Sequence, residues 1–185
     1  MWEHFGFPVI EADSDPDKPF SVAQARNNAV RRAHGADVII VADADVVPDI
    51  GSVHAALDNP EGVVYPFETF LHIPGEWVTR ADLFAAPIDQ KYGRSVGGMF
   101  VCTPETYWSL GGMDELFYPV WGYEDNAFGY AAETLVGVRR EPGVLFSFNH
   151  SANRDLSEDN PNRSRHALYR FAHGRPTVMR ELIRR

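Results

Sequence analysis

The sequence predicts an α/β domain whose sheet is mostly parallel and flanked by helices. Continuous apolar runs of strand length, residues 37–42 and 144–148 among them, stop abruptly at acidic or polar residues, as buried parallel strands do. Segments with helical spacing alternate with those runs along the chain, the order that a sheet covered by helices requires. The chain has 185 residues, 44% of them apolar. That suffices for a single domain over 1–185 that buries its own core without disulfides.

Taken in order, residues 9–13 predict a short strand running into a polar turn at 14–18. Ser21 is placed to cap a helix whose apolar side is Val22, Ala25, Ala29, Val30 and Ala33, with Gly35 as its stop. The strand at 37–42 ends in Asp43-Ala44-Asp45, and Pro48 closes the turn. Residues 62–67 are a further strand. Pro74, Gly75, Pro87 and Gly93 interrupt 68–95, which reads as a long functional loop with short helical pieces. Residues 96–103 are strand-like, Pro104 opens a helix to Leu110, and Gly111-Gly112 breaks it. A helix from Glu124 through Glu133 follows, then strands at 136–140 and 144–148 and a polar loop at 151–163. Two basic helical pieces, separated by Gly174 and Pro176, complete the chain.

The net charge of −9 is unevenly spread: residues 1–150 hold 22 acidic and 9 basic side chains, residues 151–185 hold 4 and 8. The acidic body excludes a sequence-independent nucleic-acid surface, which needs Lys and Arg to displace counterions. For such a body to hold an anionic substrate, a cation on carboxylates or the basic C-terminal flap and helices at 150–185 must supply positive charge. No apolar stretch approaches the ~20 residues that span a bilayer, and the start lacks a basic-then-apolar leader. The single Cys102 fits a reducing compartment. The expectation is a cytoplasmic protein without a membrane span.

Three constellations carry chemistry. Asp43 and Asp45 stand at the carboxyl end of a strand, where ligands bind in open α/β sheets. Where the strand turns, one carboxylate can ligate a hard cation such as Mn2+ or Mg2+ while the other holds a ribose hydroxyl or a metal-bound water. An acidic turn that merely caps the strand has the same composition. Trp121-Gly122-Tyr123-Glu124-Asp125-Asn126 sets two adjacent acids on a Gly turn among aromatics, suited to stacking on a sugar face and bonding its hydroxyls. An acid at a helix start stays ionised and suits a base; helix capping by Glu124 or Asp125, with Trp121 in the core, is the alternative. His150 follows the 144–148 run, near a strand end, and a neutral imidazole is a ligand for Mn2+, Zn2+ or Fe2+.

Four stretches in order carry a family resemblance. Pro19-Phe20-Ser21-Val22-Ala23-Gln24 through Asn27 is similar to a Pro-Phe-Asn-Arg-Ala-Lys segment, and Asp43-Ala44-Asp45-Val46-Val47-Pro48 to an Asp-Val-Asp-Leu-Ile-Pro metal motif. Val96-Gly97-Gly98-Met99, Gly111 to Glu115 and Trp121 to Asn126 follow a Phe-Gly-Gly-Val, Asn-Gly-Phe, Trp-Gly-Gly-Glu-Asp-Asp order. His150-Ser151, Arg154-Asp155 and Asn160-Pro161 resemble a His-Ser-Arg-Asp and Asn-Glu-Pro-Asn tail. Over residues 8–165 the chain thus resembles a glycosyltransferase of the GT-A (nucleotide-diphospho-sugar transferase, Rossmann-like) fold, closest to the β-1,4-galactosyltransferase family.

The resemblance implies Asp45 and His150 as ligands of Mn2+, with Mg2+ as the alternative, and Asp43 beside the ribose or the metal's water shell. It implies Asp13, Arg26, Gly97 and Gly98 at a UDP-sugar donor, and Trp121, Tyr123 and Glu124 at a carbohydrate or glycoconjugate acceptor. Asp125 becomes the general base, with Glu124 beside it. The reaction is transfer of a galactose-type hexose or N-acetylhexosamine to an acceptor hydroxyl with inversion; a non-catalytic nucleotide-sugar or carbohydrate-binding module is the alternative. Ser147 stands where the family pattern has a Met metal ligand, Val22 where it has Arg, and Asn126 where it has an acid. Only eight residues precede Val9, so either Met1 is not the natural start or this is a version lacking the usual first strand, whose unpaired edge would favour a homodimer.

Overall fold

The computed structural model describes residues 2–79, 82–149 and 159–184. After a 3-10 turn at Trp2–Phe5, the chain runs α1 (Val22–Arg32), β1 (Ile39–Ala42), β2 (Val46–Pro48), α2 (Ile50–Asp58), β3 (Val63–Tyr65) and β4 (Thr69–Ile73). It continues with β5 (Gln90–Gly93), β6 (Met99–Cys102), α3 (Pro104–Ser109), α4 (Glu124–Leu135), β7 (Val138–Arg140), β8 (Val144–Phe148), α5 (Asn162–Ala172) and α6 (Pro176–Ile183). Two compact units result: a helical one drawn from 1–39, 103–137 and 153–185, and a sheet unit drawn from 40–102 and 138–152. Among the described residues no helix is long and apolar enough to cross a membrane.

The sheet unit holds two four-stranded sheets, ordered β1-β6-β3-β7 and β2-β8-β4-β5. Both are mixed, which corrects the expectation of a mostly parallel sheet. β3 is parallel to β7 but antiparallel to β6; β8 is parallel to β4 but antiparallel to β2; β5 is antiparallel to β4. The apolar runs did mark strands covered on both faces, since Val63, Val64, Leu145 and Phe146 are buried. Burial on both faces does not encode strand direction, so the runs could not reveal it.

Residues 68–95 are likewise not an irregular loop. They contain β4 and β5, paired with Phe70 opposite Tyr92, and two 3-10 turns, Gly75–Thr79 and Leu83–Ala85. Thr69–Ile73 shows no alternation; what makes it a strand is β8, from far along the chain, with which Leu71, Ile73, Phe146 and Phe148 share one core cluster. Pro48 ends β2 instead of closing a turn, as Pro can on an edge strand. Asp49 then caps α2, its carboxylate accepting from the Gly51 amide.

In the helical unit, residues 9–13 do not form a strand. Val9 and Ile10 are 41% and 40% exposed. The carbonyls of Glu11 and Asp13 accept from the side chains of Arg32 and Asn28 instead of a neighbouring strand. Two adjacent apolar residues give no one-faced strand pattern to bury. Helix α1 starts as expected, with Ser21 Oγ accepting from the Gln24 amide at 3.3 Å. Its buried residues are Ala23, Ala25, Arg26, Asn27 and Val30, so the expected Ala25 and Val30 are buried, but Arg26 and Asn27 share that side as two polar members.

The remaining helices follow the expected signals. Thr103 caps α3 ahead of Pro104, and Gly111 and Gly112 end it with φ of +82° and +68°. A Cβ on Gly112 would lie 2.8 Å from Asn27 Oδ1, so only glycine admits this approach. Helices α5 and α6 pack with α4, burying Tyr169, Ala172, Met179 and Leu182.

Candidate active site

The start of α4 gathers the helical unit's candidate residues. Gly122 (φ +120°) and Tyr123 (φ +75°) turn the chain into the helix. For a non-glycine residue the left-handed region costs about 1 kcal/mol or more, so Tyr123 must be held there. Its ring stacks on His166 of α5, centroids 4.6 Å apart and 24° between planes, and His166 stacks in turn on Tyr130. Burial, with Arg170 and Arg163 nearby, lowers the pKa of the His166 imidazole below its usual value.

The turn is also held through its backbone. Asn162 Nδ2 donates to the carbonyls of Val120 (2.7 Å) and Gly122 (3.1 Å), and Asn160 Nδ2 donates to the carbonyl of Trp121 (3.2 Å). Asn160 and Asn162 are both buried. The Trp121 side chain stays 40% exposed, which corrects the alternative that placed it in the core.

The two acids that follow have different surroundings. Glu124 is buried, its Oε2 accepting from the Gly122 amide at 3.0 Å. Burial, reinforced by the neighbouring Asp125 charge, pushes its carboxyl up to about 7. Asp125 is more exposed and accepts from Arg26 Nη1 at 2.5 Å. Arg26, nearly buried, also contacts Met113 Sδ at 3.3 Å. The structure thus brings Arg26 onto Asp125. Asp13 is exposed, its Oδ1 accepting from the Ser14 amide at 2.7 Å.

Around them lies a polar lattice that sequence reasoning missed. Asn27 donates to the Met113 carbonyl and to Glu115 Oε1, each at 2.8 Å, and accepts from the Tyr107 hydroxyl (2.6 Å) and the Met113 amide (3.0 Å). Asp114 is paired with Arg165 and accepts from the Tyr169 hydroxyl at 2.9 Å. Arg165 of the basic C-terminal segment is therefore engaged by Asp114. The helical-row positions of Arg26 and Asn27 were the available signal: two polar residues at core spacing need buried partners.

The sheet unit carries Asp43 and Asp45, both half-buried, just beyond β1. The Asp43 amide donates to the Gly98 carbonyl at 2.9 Å, and the Asp45 carbonyl accepts from the Phe148 amide at 3.0 Å. These bonds tie both acids to the ends of β6 and β8. Ser147 of β8, buried, donates from Oγ to Asp45 Oδ2 at 3.1 Å. Gly98 has φ +91°, and a Cβ there would meet Leu145 Cδ2 at 2.8 Å, so glycine is required. Gly97 precedes it, its amide donating to Ser95 Oγ at 3.2 Å. His150, the second expected metal ligand, lies outside the described residues, as do Ser151, Arg154 and Asp155.

Carboxylate oxygens such as those of Asp43 and Asp45 are the donor type that a hard divalent cation such as Mn2+ or Mg2+ takes. The described residues contain no cluster of three His, Cys, Asp or Glu side chains able to hold a metal.

Comparisons with known proteins bear on the fold. A family model described as the N-terminal domain of galactosyltransferase matches residues 82–134. Two solved structures resemble the chain over most of its length. One is a mutant of Drosophila β-1,4-galactosyltransferase 7 in complex with manganese, UDP-Gal and xylobiose (TM-score 0.55, 17% identity, 83% of this chain). The other is the catalytic domain of that Drosophila enzyme with xylobiose (TM-score 0.56, 20% identity, 81% of this chain). The fold is similar to that of these galactosyltransferase structures. The chain covers 62% and 61% of those solved chains. No curated protein matches it in sequence.

Proposed function

We propose that the protein is a metal-dependent glycosyltransferase that moves a sugar from a UDP-sugar to an acceptor hydroxyl with inversion. The sugar is a galactose-type hexose or an N-acetylhexosamine, and residues 1–185 act as one glycosyltransferase-like domain. The observation that carries the reading is the Arg26–Asp125–Glu124 group at the start of α4, on a galactosyltransferase fold. The solved relative binds manganese, UDP-Gal and xylobiose, the kinds of cofactor, donor and acceptor assigned here.

Asp45 and His150 would hold Mn2+, with Asp43 at the ribose or the metal's water shell; Ser147 holds one oxygen of Asp45, orienting the other. Bound there, the cation would offset the negative charge of the departing diphosphate. Asp125 takes the proton of the acceptor hydroxyl as that oxygen bonds to the anomeric carbon and the bond to UDP breaks. Arg26 orients the Asp125 carboxylate, besides its assigned place at the donor. Glu124, protonated below about pH 7, can donate to a sugar oxygen, while Trp121 and Tyr123 offer aromatic faces to the ring. Asp13 contacts the nucleoside, and Gly97 and Gly98 let the backbone approach the donor. A second copy, where one forms, would pair along β5, whose four residues are all exposed at the sheet edge.

The deciding experiment is UDP release from a panel of UDP-sugars with Mn2+, with and without xylobiose and related acceptors. Acceptor-stimulated release supports transfer. Release that ignores every acceptor would make the protein a hydrolase, and binding without release a carbohydrate-binding module.

A further inference from the structure

We propose that Asn162, assisted by Asn160, is the positioning residue of the acceptor turn; this rests on the reading of Trp121–Asp125 as the acceptor site. Three consecutive carbonyls, Val120, Trp121 and Gly122, receive side-chain amide donors from these two asparagines. A run of carbonyls in a non-helical turn finds no partners of its own, so without these donors it must turn to water or refold. Asn162 is 2% exposed and Asn160 3%, so both amides are committed to the turn and not to solvent.

The pair is built as one rigid piece. Asn160 Oδ1 accepts from the Asn162 amide at 2.8 Å, and its carbonyl accepts from the Arg163 amide at 3.1 Å. Asn160, Pro161 and Asn162 thus start α5 and grip the turn at the same time. The Gly122 amide donates to Glu124 while its carbonyl is held by Asn162, so the clamp reaches the catalytic acids through one peptide unit on each side. Stacking of His166 on Tyr123 fixes the turn from one helical turn further along α5. Asn162 touches no reacting atom here; it sets where Trp121 and the α4 acids point.

The test pairs two variants with two readouts. Asn162→Ala strips both donors to Val120 and Gly122. Asn160→Asp keeps the oxygen that accepts from the Asn162 amide, places a carboxylate favourably at the α5 start, and removes the donor to Trp121. Amide exchange of the protein without substrates reports on peptide 118–126. Steady-state kinetics with Mn2+, UDP-galactose and xylobiose separates acceptor KM from donor KM. The expected result is faster exchange confined to 118–126 in both variants and an acceptor KM raised roughly tenfold or more in Asn162→Ala. Donor KM and acceptor-free UDP release stay within about twofold.

Unchanged exchange at 118–126 overturns the clamp, as does faster exchange with an unaltered acceptor KM, or an equal rise in donor and acceptor KM. If the unmodified protein releases UDP from no donor, the transferase reading fails instead, and the exchange readout still decides whether the asparagines hold the turn.

Discussion

Arg26 and Asp125, far apart in the chain, meet at 2.5 Å, joining the centre of α1 to the first turn of α4. The guanidinium is nearly buried and the carboxylate partly so, so neither partner can relax fully into water when the other is removed. Arg26→Met is expected to destabilise the fold by about 3 kcal/mol, measured by urea unfolding, with Arg26→Lys recovering part of the loss. A loss below about 0.5 kcal/mol, the scale of a surface pair, would show the pair to be solvent-screened.

Asp125→Asn is the sharper probe of chemistry. It keeps the shape of the side chain and removes the base, so turnover should fall about 10²–10⁴-fold while UDP binding by calorimetry survives. Wild-type turnover in this variant would remove Asp125 from the role.

Glu124 gives the stability curve a definite slope. Its carboxyl is raised from 4.5 to about 7 by burial and by Asp125, so the folded protein holds a proton that the unfolded chain has released. That contribution is present in full below about pH 4.5 and fades as pH rises through about 7, where the buried carboxylate must ionise. Glu124→Gln, always neutral, should lose this fall, and the variant's melting temperature should gain on the wild type between pH 5 and pH 8. Parallel pH curves for the two proteins would contradict the assignment.

Ser147 should matter through Asp45. Losing the bond from its hydroxyl to Asp45 Oδ2 removes one restraint on the carboxylate, and outer-shell losses of this kind typically weaken metal binding ~10–100-fold. Ser147→Ala titrated with Mn2+ in the presence of UDP tests this; an unchanged affinity would show that the hydroxyl does not orient the ligand.

Gly98→Ala should damage both the fold and the donor side. The added methyl meets Leu145 and Phe70, at a backbone angle that disfavours any side chain. A cost of about 1–3 kcal/mol is expected from overpacking alone, read as a lower melting temperature. Because the Gly98 carbonyl accepts from the Asp43 amide, Mn2+ and UDP affinity should drop with it.

Much of the fold was legible because its signals are local. Ser21 as a cap, Pro104 at a helix start, Gly111-Gly112 as a stop and the run ending in Phe148 each announce themselves within a few residues. Strand direction, β4 and β5 were not legible, since pairing with β8 and the covering of both faces are decided by residues distant in sequence. The site divides in the same way. Adjacent acids at the start of α4 and after β1 can be seen in one window, whereas the Arg26–Asp125 pair and the asparagine donors to residues 120–122 exist only after folding. The stretch at 9–13 shows the converse error: it has strand-forming residues but no neighbour to pair with, and its carbonyls turn to Arg32 and Asn28.

Asn27 closes off one familiar engineering route. Buried amides are tempting targets for replacement by aliphatics when heat tolerance is sought, yet this one serves the Tyr107 hydroxyl and both main-chain groups of Met113. A Leu or Val there would take from all three groups the partner that Asn27 supplies, so directed libraries should hold this position fixed and look for tolerance on the outward side of the same helix.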